Sequence, residues 1–130
     1  PNSVEVGLFL ARAYMFQHEF TKAADILKEI KPLIENATDD NEKIFLDTEI
    51  QIHYRKADDH SQRNEFDECI GQLEEMRDKF DSLPDKHKDY YIRQKLSKCQ
   101  FTLKNLLKTN DPNILYRADK IQEWVSVECR

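Results

Sequence analysis

Apolar residues return every third or fourth position through most of this chain, the period of helices with one buried face. The clearest stripe is Phe20, Ala23, Ala24, Leu27, Ile30 and Ile34, which predicts a helix from about Phe20 to Asn36. Pro32 in its last turns predicts a bend or an early stop. Before it, Ser3 to Gln17 reads as a helix with Ser3 as N-cap and Leu10, Ala11 and Tyr14 on one face. A third helix is predicted from about Glu42 to Ala57, capped within Asp39-Asp40-Asn41, with Phe45, Leu46, Ile50, His53 and Ala57 inward. The polar run Asp58 to Asn64 is either a long turn or the exposed end of that helix.

A fourth helix, about Glu65 to Phe80, carries Phe66, Cys69, Ile70, Leu73, Met76 and Phe80. After Ser82-Leu83-Pro84-Asp85, a fifth runs from about Lys86 to Lys108, where Ile92, Leu96, Cys99, Leu103 and Leu106 form the seam of closely aligned helices. Asn110-Asp111-Pro112 marks the next start, with Asp111 capping and Pro112 at the first helical position. The sixth helix runs to about Glu128, with Ile114, Ala118, Ile121 and Val125 inward. No segment alternates with a period of two. The expectation is an all-α domain over residues 1–130, in antiparallel helix pairs at about 3–36, 42–80 and 86–128.

Composition agrees with this pattern. Charged residues make up 35% of the chain and Gly occupies only 2 positions, a mixture suited to exposed helices and unsuited to Gly-rich binding loops. The chain opens on Pro1 and reads as a piece of a larger protein. The net charge of −5 is uneven: residues 1–40 carry −3, residues 41–85 carry −7 and residues 86–130 carry +5. This polarity can steer a partner or favour head-to-tail contact. Three widely spaced cysteines, Cys69, Cys99 and Cys129, do not make a disulfide framework, which points to a reducing, cytoplasmic setting. No apolar run approaches the length of a membrane span.

The first pair resembles the tetratricopeptide repeat. Leu10-Ala11-x-x-Tyr14 matches the family's first-helix signature, and Ala23, nine residues after Tyr14, stands where the family places its second-helix alanine. Leu27 follows at the large apolar position, and Glu19-Phe20-Thr21-Lys22-Ala23 is similar to the family's turn and entry. Glu65-Phe66-Asp67-Glu68-Cys69 echoes that segment at an offset of 46, whereas Ile50 to Tyr54 echoes Leu10 to Tyr14 at an offset of 40, implying six inserted residues. The pattern departs at Gly7, where a tryptophan is usual. The resemblance implies a short right-handed solenoid that binds a protein or peptide on the side lined by the first helix of each pair. Arg12, Tyr14, Gln51, Tyr54 and Arg55 are then the candidate contact residues. The carboxylate clamp of one subset of the family needs Gly-Asn where this chain has Ala11-Arg12, and it is not carried over.

Catalytic chemistry finds little support. Gly7 and Gly71 both fall within predicted helices, so no phosphate-cradling loop is read. The histidines are scattered, Cys69 and Cys99 lie on apolar stripes, and no metal, cofactor or catalytic residue is expected. Arg93, Lys104 and Lys108 of the fifth helix form a candidate basic face for nucleic acid, against an acidic total. The expected function is a non-catalytic scaffold for a protein, a peptide or another domain of its own parent. The alternatives are a regulatory or sensor domain of a signalling or NTPase protein, and self-assembly through an apolar edge at Trp124, Val125 and Val127.

Overall fold

The computed structural model describes residues 2–129, with side chains from Val4 onward. Among these residues every regular element is helical: α1 (Asn2–Phe16), α2 (Phe20–Ile34), α3 (Asp39–Gln62), α4 (Phe66–Asp81), a 3-10 turn (Asp85–His87), α5 (Tyr90–Ser97), α6 (Cys99–Leu106) and α7 (Pro112–Glu128). The chain divides into two units, residues 1–52 and residues 53–130, with the boundary inside α3.

In the first unit α1 and α2 form a tight hairpin. Leu8, Ala11 and Met15 of α1 meet Ala23, Leu27, Ile30 and Ile34 of α2, with Phe45 and Ile52 of α3 completing the core. The α2 stripe is as predicted, and the helix runs past Pro32 to Ile34. The α1 stripe is so only in part, with Ala11 buried and Tyr14 packed against the core. Leu8 and Met15 are buried while Leu10 is exposed. Gly7 explains the rotation: its missing side chain lets α1 close on Ile30, whose Cγ2 would lie 2.6 Å from a Cβ there. The backbone is already helical at Ser3, and the side chain expected to cap there lies outside the described residues.

Two corrections concern α3. Its start is capped by Thr38, whose Oγ1 accepts from the Asn41 N–H at 3.2 Å, so the helix begins ahead of the expected Asp39-Asp40-Asn41 cap. Its end runs through the polar stretch to Gln62, because Ala57 and Ser61 are buried and the Asn105 side-chain amide donates to both the Ser61 carbonyl and hydroxyl at 2.8 Å. The expected insertion of six residues therefore disappears, and the helix before each turn aligns at the same offset of 46 as the helix after it.

The two turns share one hydrogen-bond pattern. At the first, the His18 N–H bonds the Met15 carbonyl at 3.0 Å and the Glu19 N–H bonds the Tyr14 carbonyl at 2.9 Å. At the second, the Asn64 N–H bonds the Ser61 carbonyl at 3.0 Å and the Glu65 N–H bonds the His60 carbonyl at 2.9 Å. His18 and Asn64 take left-handed φ of 61° and 57°, the helix-ending conformation that reverses the chain and satisfies its last carbonyls. Ala11 and Ala57 are both fully buried before these turns, as Ala23 and Cys69 are after them.

In the second unit α7 packs on α4, α5 and α6. Arg117 forks onto Glu74, its Nε donating to Oε2 at 2.9 Å and Nη2 to Oε1, while Nη1 reaches Asp67 at 3.4 Å. Trp124 stands edge-on to Phe80 at 5.6 Å and donates to Asp81 at 2.9 Å. The predicted fifth helix is three pieces. Pro84 precedes the 3-10 turn, and α5 starts afresh where Asp89 accepts from the Ile92 N–H at 3.1 Å. At Lys98 the backbone slips to a tighter bond, its N–H on the Lys95 carbonyl at 3.2 Å. Lys98 keeps right-handed helical angles, so the expected seam of Ile92, Leu96, Cys99, Leu103 and Leu106 stays buried across the break. The α7 stripe is also buried as expected.

Candidate functional site

An amphipathic helix with one partner has one apolar face, but α1 is apolar on both sides. Leu8, Ala11 and Met15 face the core, and Val6, Phe9, Leu10 and Phe16 remain exposed on the outside. Phe9 is 73% exposed. This face and the start of α3 enclose a groove of about 540 Å³ lined by Phe9, Arg12, Ala13, Phe16 and Ile44, with Glu5 and Asn41 at its edge. Among the described residues the Arg12 guanidinium makes one electrostatic contact, 6.0 Å over the Phe16 ring. The groove thus offers two rings and a cation held against one of them, which suits apolar side chains beside an acidic or carbonyl group.

Of the expected contact residues, Arg12, Tyr14 and Gln51 lie in the first unit and Tyr54 and Arg55 in the second. Arg12 lines the groove. Tyr14 is half-buried against the first core, with Lys22 Nζ 5.5 Å over its ring on the α2 side. Gln51 is buried, and its amide donates to Asp47 at 3.0 Å, so it is structural. Tyr54 and Arg55 belong to the second unit and are half-buried. Burial, then the neighbouring Asp58 carboxylate, pushes the Tyr54 phenol above its ordinary pKa. Phe9, Phe16 and Ile44 were missed because each falls off the expected stripes. The available signal was the number of large apolar residues around the whole of α1.

The second unit has its own groove of about 480 Å³ between α6 and α7, with Phe101, Leu103, Leu107, Leu115 and Ala118 as its apolar lining and Lys104 and Asp119 at its sides. Phe101 is 83% exposed and Leu107 66%. The expected basic face does not form a continuous stripe. Arg93 turns toward Glu128 at 3.9 Å, whereas Lys104 lies in the α6–α7 groove and Lys108 lies beyond the end of α6. The expected assembly edge also dissolves: Val125 is buried, Trp124 is held by Phe80 and Asp81, and Val127 alone is exposed.

Burial pushes the Cys69 and Cys99 thiols up to about 12, far from the reactive range. His53 Nδ1 donates to Gln72 Oε1 at 2.8 Å and lies 3.2 Å from Glu75, and desolvation holds its pKa below the ordinary value. Among the described residues no group of three or more His, Cys, Asp or Glu is placed to hold a metal ion, and no helix is long and apolar enough to cross a membrane. The chain matches no family model, no curated protein and no solved structure at a significant level.

Proposed function

We propose that this chain is a non-catalytic protein-binding module. In this reading tetratricopeptide-like helix pairs stack as a short right-handed solenoid, and α1 holds a protein or peptide partner. The exposed apolar face of α1 carries the proposal. Val6, Phe9, Leu10 and Phe16 form an exposed apolar face on the side of α1 away from its core, and a patch of this kind marks a contact surface. Enclosing a phenylalanine ring is worth about 1.5–3 kcal/mol, so Phe9 and Phe16 supply anchors and Arg12 supplies orientation. The repeated turn at an offset of 46, with a buried Ala before it and a buried Ala or Cys after it, supports the repeat architecture. Two buried thiols and one exposed thiol, all unpaired, suit a reducing cytoplasmic compartment.

The test is capture from a native extract by the wild-type chain and by Phe9→Ser combined with Phe16→Ser. Both positions are exposed, so the variant should keep its helical circular dichroism. A protein retained by the wild type and lost by the variant supports the module. Retention of the same proteins by both places binding elsewhere and refutes the assignment of α1.

A further inference from the structure

We infer that the partner of the α1 face is a second copy of this chain, taken head to tail through its α6–α7 groove. The inference rests on the proposed role of α1 and names what covers it. Three observations point to the same pairing.

The first is shape. Phe9 projects from α1 with Glu5 one turn before it and Arg12 one turn after it, all on one side of the helix. The α6–α7 groove is a slot with an apolar floor of Leu103 and Ala118, and its flanking Phe101 and Leu107 are uncovered. A single ring entering the slot meets apolar surface on both sides.

The second is charge at matched spacing. Glu5 and Arg12 are seven residues apart, about 10 Å along the helix. Lys104 belongs to α6 and Asp119 to α7, packed helices whose axes lie about 8–10 Å apart. A copy of α1 crossing the slot sets Glu5 against Lys104 and Arg12 against Asp119 while Phe9 drops between them. Reversing that direction puts like charges together at both ends, so the pairs also select one orientation.

The third is the distribution of charge along the chain. Residues 86–130, which build the slot, carry +5, while residues 1–40, which contain α1, carry −3. Where one chain's beginning stands close to another's end, these segments of opposite sign attract, and salt screens that attraction. The two surfaces differ, so the contact is heterologous: each copy offers one of each, and the products are rings or open chains.

Sedimentation velocity of the 130-residue chain over a wide range of concentration, at low and high salt, tests this. Association should grow with concentration and weaken with salt. Glu5→Lys with Arg12→Glu should weaken it by about tenfold or more, as should Lys104→Glu with Asp119→Lys, because each replaces attraction by repulsion. Mixing the two double variants should restore association, since each reversed surface meets its reversed complement. A merely misfolded variant would not be rescued this way. A chain that stays monomeric, or association that ignores both reversals, overturns the inference. If the chain stays monomeric while Phe9→Ser still abolishes capture of a different protein, the module stands and the second copy is wrong. If neither association nor capture responds to Phe9, both readings fall.

Discussion

Adding one methyl group at each of the chain's two glycines should move stability in opposite directions. Gly7 and Gly71 both sit inside α-helices, in α1 and α4. Replacing a helical glycine by alanine normally stabilises by about 0.5–1 kcal/mol, because alanine has less backbone freedom to lose. At Gly71 nothing lies within 4 Å of the new Cβ, so Gly71→Ala should show that gain undiminished. At Gly7 the new Cβ would stand 2.6 Å from Ile30 Cγ2 and 3.3 Å from its Cδ1. Ordinary carbon contacts need about 3.5–4.0 Å, so one partner must retreat by about 1 Å. Ile30 is buried, and its Cγ2 branches directly from Cβ, where helical rotamers are stiff. The remaining response is separation of α1 from α2, an overpacking that costs about 1–3 kcal/mol. After the propensity gain, Gly7→Ala should destabilise by about 0.5–2 kcal/mol. Urea unfolding followed by far-ultraviolet circular dichroism measures both variants. Ile30→Leu moves the branch one carbon outward and should relieve the clash, giving the double variant a favourable coupling of about 1 kcal/mol. Equal stabilisation by both alanines would refute the close approach and with it the observed rotation of α1.

Other expectations follow from the same geometry. Ala23 is fully buried at the α1–α2 contact, so Ala23→Phe should cost about 1–3 kcal/mol in the same assay. Burial lowers the pKa of the His53 imidazole; the Gln72 hydrogen bond and Glu75 oppose the shift, and Lys79 and Lys56 add to it. The unfolded chain then binds the proton more readily, so this part of the stability is complete above the ordinary histidine value of about 6.5 and is lost as pH falls below it. His53→Gln should flatten the loss, which urea midpoints across that range would reveal. Of the three thiols Cys129 alone is exposed, so a maleimide should label it first in the native chain and all three in denaturant; rapid native labelling of Cys69 or Cys99 would contradict their burial.

How much was legible beforehand depended on how one-sided each helix is. The stripes of α2, α4 and α7 were readable because their apolar residues occupy one face, so period and burial coincide. In α1 the period is ambiguous: Leu10 and Leu8 are equally apolar, and Gly7, which admits Ile30, decides which turns inward. The candidate site inherited that ambiguity, and Phe9 and Phe16 went unnoticed beside Arg12 and Tyr14. The polar end of α3 is held by contacts from Asn105, 44 residues further along the chain, which no local window contains. The break at Lys98 left no mark in the apolar seam because the backbone stays helical through it. Gln51 was misplaced because its position on a helix face does not reveal the buried Asp47 four residues earlier that its amide meets.

The central claim is that the outer face of α1 meets a protein. A photo-crosslinking phenylalanine analogue at position 9 tests it directly in cells, with the same analogue at the exposed Tyr90 of α5 as the reference. The account predicts a discrete adduct from position 9, absent from position 90, whose mass identifies the protein bound there. An unreacted chain at position 9, or the same diffuse products from both positions, would contradict it.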